Sequence, residues 1–170
     1  MLIRQETKDD YSKVYDLIKE AFASSEYADG NEQDLVTALR KNKEAFIPEL
    51  SLVAENDGKI VGHILFTKMK VGSSIVLALA PLSIKPEYQR QGIGTELILE
   101  GHRIARDLGY TYSVVLGSET YYPRVGYLPA AKFNITIPDG IPAQNYMAIQ
   151  LLPDAKPIHG KVSYAKEFGL

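Results

Sequence analysis

The 170-residue chain contains no cysteine, which excludes disulfides, thiolate metal sites and cysteine nucleophiles. It has no apolar run approaching the roughly 20 residues that span a bilayer. Residues Met1 to Glu6 lack a basic stretch followed by an apolar segment, so no secretory signal is expected. An excess of one charge is missing too. The net charge of −2 argues against a broad nucleic-acid surface but leaves room for a local basic pocket. There are three histidines, no two at metal-ligand spacing, and no metal is expected. These absences describe a soluble cytoplasmic protein that binds neither nucleic acid nor membrane. The length suits one domain, residues 1–170, able to bury roughly two thirds of its unfolded surface. No linker, internal repeat or low-complexity tract divides it.

Along the chain, Leu2 to Gln5 reads as a strand. Thr7 with Asp10 three residues on opens a helix, whose apolar face is Val14, Leu17, Ile18, Ala21 and Phe22. Tyr27-Ala28-Asp29-Gly30 breaks it, and a second helix runs from Glu32 to Lys41. Three antiparallel strands follow: Leu50 to Glu55, closed by Asn56-Asp57-Gly58, then Lys59 to Val71, then Ser74 to Ile84. A third helix spans Ile93 to Leu108 and stops at Gly109, with His102 expected on its exposed side. Tyr112 to Leu116 is a short buried strand. The core is expected at about 50–130. Residues 131–170 are rich in proline and read as irregular, with one strand near Met147 to Leu151.

Gln89 to Thr95 lies where an apolar strand hands over to a helix. Gly92 and Gly94 let backbone approach an anion without a Cβ in the way, and the first N–H groups of a helix attract phosphate. Two glycines alone fit a tight turn equally well. The known phosphate loops fit badly. A dinucleotide fold places a third glycine where Leu97 stands, and a P-loop places a lysine where Thr95 stands.

The stretch Leu82-Ser83-Ile84-Lys85-Pro86-Glu87-Tyr88-Gln89-Arg90-Gln91-Gly92-Ile93-Gly94 resembles the pyrophosphate loop of the GNAT N-acetyltransferases, Gln/Arg-x-x-Gly-x-Gly/Ala, with its strand and helix start. The element order to about residue 130 is similar as well, and Gly160 to Phe168 resembles a bacterial stand-alone subgroup. The resemblance implies an α/β (α+β) fold: a mixed, mostly antiparallel sheet flanked by helices, with strands four and five splayed around acetyl-CoA. It implies that Leu82 N–H faces the thioester carbonyl and that the stretch Leu82, Ser83 and Ile84 meets the pantetheine. It also implies that Gln89, Arg90, Gln91, Gly92, Ile93, Gly94 and Thr95 hold the pyrophosphate. Pro81 cannot donate to a ladder, so a disturbed strand there is expected on its own chemistry.

Tyr121-Tyr122-Pro123-Arg124-Val125-Gly126-Tyr127 resembles the family's Tyr-x-x-x-Gly-Phe/Tyr segment, which implies that Tyr122 protonates the leaving thiolate. Tyr121 reads as packing. The asparagine often found between strand five and this tyrosine is missing, and Ser118 is the nearest polar substitute. The positions where several relatives carry a base hold Ala78 and Ala80. His63, Glu119 and Glu32 are the remaining candidates.

The reading is acetyl transfer from acetyl-CoA to a primary amine by direct attack in a ternary complex. A non-catalytic acyl-CoA sensor and a nucleotide-binding domain reusing the glycine loop stand as alternatives. The acceptor is open between a small-molecule and a peptide amine. Glu26, Asp29 and Glu32, or residues 137–144, could face it. The oligomeric state is open, a homodimer included.

Overall fold

The computed structural model describes residues 1–23 and 29–170. Glu26 and the expected break at Tyr27-Ala28 lie outside the described residues. Strand β1 (Leu2–Gln5) leads into helix α1 (Tyr11–Phe22). Asp10 fixes that junction: its carboxylate accepts Thr7 N–H at 2.7 Å and two guanidinium bonds from Arg4, at 2.7 and 3.0 Å. Helix α2 is Glu32–Arg40, and α3 is Ile93–Asp107. The strands β2 (Phe46–Asn56), β3 (Lys59–Val71) and β4 (Ser74–Ile84) form an antiparallel meander. Asp57 and Gly58, both at positive φ, make the first hairpin turn.

The other strands are β5 (Tyr112–Leu116), β6 (Leu128–Pro129), β7 (Tyr146–Gln150) and β8 (Val162–Ser163). Among the described residues they form one sheet of order β1-β2-β3-β4-β5-β7-β6, with β8 on β3. All pairings are antiparallel except β4 with β5, so the sheet is mixed and mostly antiparallel, as expected.

Helices cover both faces. Val14, Leu17 and Ile18 of α1 and Val36 and Leu39 of α2 pack on Val53, Ile60 and Leu65. Ile93, Leu97, Ile98 and Ala105 of α3 pack on Leu52, Ile64, Phe66 and Leu77 from the other side. Burying each such side chain contributes about 1.5–3 kcal/mol. Gly101 lets α3 approach β3 closely, because a Cβ there would collide with the Phe66 ring. Among the described residues no helix is long and apolar enough to cross a membrane.

Two expectations need correction. His102 is 1% exposed, not on a solvent face. Its Nε2 pairs with the Tyr127 hydroxyl at 3.1 Å, and that hydroxyl meets Ser113 Oγ at 2.9 Å. A closed polar network therefore makes burial of this histidine tolerable. The strand expected from Leu50 starts at Phe46, because a register shift between Phe46 and Ser51 absorbs Pro48 at an irregular point. After β5 the chain makes a single 3-10 turn, Tyr122–Val125, with Pro123 in its first turn, where a missing N–H is tolerated.

Candidate active site

The central feature is the parting of β4 and β5. They pair only at Leu77↔Ser113 and Ala78↔Val114, while β4 continues to Ile84 beside β3. One extra β4 residue is accommodated between Leu79 and Leu82 opposite Phe66 and Ile64, which is a bulge containing Pro81. Beyond it the ladder alternates regularly. Lys85 N–H donates to Val61 O at 2.9 Å, which makes Lys85–Val61 and Ser83–His63 the bonded pairs. Leu82 and Ile84 therefore turn their backbone groups away from β3, into the gap left by β5.

That free edge runs directly into a helix N-terminus. The first bond of α3 is Glu96 N–H to Gly92 O, at 3.1 Å. The N–H groups of Ile93, Gly94 and Thr95 thus have no intrahelical acceptor and carry the positive end of the dipole. Arg90 at φ 63° and Gly92 at φ 88° curl the preceding backbone, a conformation that gathers N–H groups around an anion. Gln89 is committed locally: its Nε2 donates to Ile84 O at 3.1 Å. Gln91 donates to Glu87 O at 3.3 Å.

A cleft of about 870 Å³ lies along these elements. Of the residues expected at the cofactor, Leu82, Ser83, Ile84, Gln89, Arg90, Gly92, Ile93, Gly94 and Thr95 border it. Gln91, Ser118 and Tyr122 do not. Ser118 is exposed and serves the local turn, its Oγ 2.9 Å from Thr120 Oγ1 and its carbonyl accepting Tyr122 N–H at 3.2 Å. Sequence reasoning missed Arg124, which adds a second cation to the rim, and Phe22, Tyr88 and Tyr121. The motif spacing held the signal for Tyr121 and Arg124 but did not say which way each points.

Tyr121 reaches the cleft. Its hydroxyl lies 3.1 Å from Thr95 Oγ1 and against Gly94, where a Cβ would stand 3.0 Å away. Tyr122 stands beside it at the end of β5. Its ring is edge-on to Tyr121 and Tyr127, with centroids 5.1 and 5.6 Å away, and covers Gly117 so closely that a Cβ there would collide with it. Burial, and secondarily Tyr121, holds the Tyr122 phenol well above the usual tyrosine range.

The three base candidates stay apart from this cleft. His63 is fully buried on β3. Its Nε2 meets Ser51 Oγ at 3.0 Å and stands 3.6 Å from Glu6, which is itself bound to Arg40 at 2.9 Å. Burial above all pushes the imidazole down to about 4, with Glu6 opposing and Arg40 reinforcing the shift. Glu119 is exposed and accepts Asn145 Nδ2 at 2.7 Å. Asn145 also donates to Gly117 O at 3.1 Å, so an asparagine does support the chain just after β5, though it comes from the short turn that precedes β7. Glu32 sits at the start of α2, with one carboxylate oxygen buried and unpartnered among the described residues.

The family model for the acetyltransferase (GNAT) family matches residues 11–127. An uncharacterized N-acetyltransferase of Escherichia coli K12, YjhQ, is 42% identical over 128 residues, covering 73% of this chain and 67% of that protein. Among solved structures, a GNAT family acetyltransferase from Brucella melitensis in complex with acetyl-CoA has a TM-score of 0.82 at 32% identity, covering 98% of this chain and 97% of that one. The E. coli GNAT family N-acetyltransferase YhbS in complex with CoA has a TM-score of 0.88 at 29% identity, covering 99% and 92%.

Proposed function

The chain belongs to the GNAT acetyltransferase family, and on that premise we propose that it transfers an acetyl group from acetyl-CoA to a primary amine by direct attack in a ternary complex. One observation carries the proposal. The edge of β4 at Leu82 and Ile84, which β5 leaves without a strand partner among the described residues, leads into the N–H groups of Ile93 to Thr95, which have no intrahelical acceptor. A ligand with an amide-bearing arm and a pyrophosphate suits both halves, as CoA does. The relatives solved with acetyl-CoA and CoA support the same donor.

In the proposed reaction the neutral amine nitrogen attacks the thioester carbon and a C–N bond forms. Leu82 N–H stabilises the oxyanion. Collapse breaks the C–S bond, and the thiolate takes a proton from the hydroxyl of Tyr122, which lies directly behind the cleft wall formed by Tyr121. That phenol is kept protonated by its burial. The proton shed by nitrogen returns through water to the phenolate. None of His63, Glu119 and Glu32 borders the cleft, so the proposal gives water this task. Arg90 and Arg124 meet the phosphate end of the donor.

The second reading, an acyl-CoA-binding sensor without transfer activity, draws on the small apolar residues Ala78 and Ala80 in β4. Incubation with acetyl-CoA and a panel of small-molecule and peptide amines, following free thiol, separates the two. Thiol release that depends on one class of amine supports transfer and identifies the acceptor. Tight CoA binding with no thiol release over any amine supports the sensor.

A further inference from the structure

The outer edge of β3 changes neighbours along its length. It pairs with β2 as far as Phe46↔Thr67, then with β8 through Lys70↔Ser163 and Val71↔Val162. Where one neighbour gives way to the other, a groove of about 900 Å³ opens. Its walls are the end of α2 and the C-terminal turn Lys166–Phe168. Five lysines border it: Lys41 and Lys43 from the α2–β2 connection, Lys68 and Lys70 from β3, and Lys166 from the C-terminal turn. Lys68 and Lys70 share one face of their strand.

Two glutamates, Glu44 and Glu167, also border the groove, and Glu167 is already engaged by Asn42 Nδ2 at 2.8 Å. Among the described residues none of the five lysines forms an ion pair. The concentration of positive charge does not follow from composition, since the whole chain carries −2. Three separate parts of the sequence bring these lysines to the border of one concavity, where like charges repel one another. An anion with several charges relieves that repulsion. Among the described residues the groove shares no bordering residue with the β4–β5 cleft.

We infer that this groove binds a small molecule carrying several phosphates. Lysine ammonium groups are compact point charges with rotatable donors, suited to phosphate oxygens from several directions. The space is in the range of small-molecule sites, about 300–1,000 Å³, and exceeds what a single phosphate fills. A free oligophosphate and the triphosphate tail of a nucleotide share the required chemistry.

The test is calorimetric titration of protein saturated with CoA, so that the glycine loop is occupied. Inorganic tripolyphosphate is the probe in one arm and ATP in the other. A preceding CoA titration reports separately on the donor site. The expected result is saturable binding that weakens as salt rises. It should be about tenfold weaker in Lys68→Gln/Lys70→Gln and in Lys41→Gln/Lys166→Gln, as loss of two charges implies, with CoA affinity unchanged in both. Equal affinity for the two probes assigns the site to the phosphate chain, and tighter ATP assigns it to a nucleotide. No binding to the CoA-saturated protein, or binding that both double variants retain in full, overturns the inference.

Discussion

Tyr121 and Thr95, 26 residues apart in sequence, are joined hydroxyl to hydroxyl at 3.1 Å across the cleft. The contact links the turn after β5 to the first turn of α3. It therefore couples the two walls that the parting of β4 and β5 leaves unpaired. Thr95 is one of the three α3 residues whose N–H has no intrahelical acceptor, so Tyr121 bears on the geometry of the proposed pyrophosphate site rather than on packing alone.

Replacing Tyr121 by phenylalanine keeps the ring and removes only that bond. The expected effect is a severalfold weaker Kd for CoA, in line with about 1 kcal/mol for a lost hydrogen bond, with kcat at saturating donor little changed. Calorimetry with CoA and steady-state kinetics give the two numbers. A collapse of kcat with unchanged affinity would move the general-acid role from Tyr122 to Tyr121.

Tyr122→Phe should do the reverse. Turnover should drop about 100-fold, a usual value for a lost general acid, while acetyl-CoA affinity changes little. Unchanged turnover removes Tyr122 from the mechanism.

Gly117 offers a test that leaves both tyrosines in place. A Cβ at residue 117 would collide with the Tyr122 ring, which cannot retreat freely between Tyr121 and Tyr127. Gly117→Ala should therefore lower kcat and destabilise the fold by about 1–3 kcal/mol, the usual cost of overpacking. Turnover and the urea midpoint, measured on the same preparation, check both effects.

Acid should weaken the fold earlier than carboxylate titration alone would. His63 and His102 are both pushed down to about 4, chiefly by burial. The unfolded chain then binds protons that the folded chain does not, from about pH 6.5 downward. Stability should fall as pH drops through this window, by up to about 1.4 kcal/mol per pH unit for each histidine. Asp10, held well below the usual carboxylate range by Arg4, acts in the same direction only below about pH 4. Urea midpoints at pH 7, 6 and 5 measure the slope, and His102→Gln should reduce it.

The order and type of the elements from β1 to β5 were legible in the sequence because apolar periodicity and turn residues agreed there. Asn56-Asp57-Gly58, Gly72-Ser73 and Gly109 each fell at the end of an element. The shape of the glycine loop was legible for a related reason: it is local, and local backbone chemistry dictates it. What stayed hidden depends on contacts between distant residues. His102 looked exposed by helical spacing, yet Tyr127 and Ser113 from later in the chain supply the partners that let it enter the core. Tyr121 and Tyr122 are neighbours in sequence, but the turn in which both N–H groups donate to Ser118 O aims one side chain at the cleft and the other at Gly117. Asn145 reaches the chain just after β5 from a proline-rich segment with no periodicity to announce it.

The central claim is that CoA lies along the free edge of β4 with its pyrophosphate at the start of α3. Amide hydrogen exchange, resolved by residue with and without CoA, tests this most directly. The account predicts that CoA slows exchange at Leu82 and Ile84 together with Ile93, Gly94 and Thr95, while β2 amides are unaffected. Protection confined to other segments, with these five amides exchanging as fast as in the free protein, would contradict it.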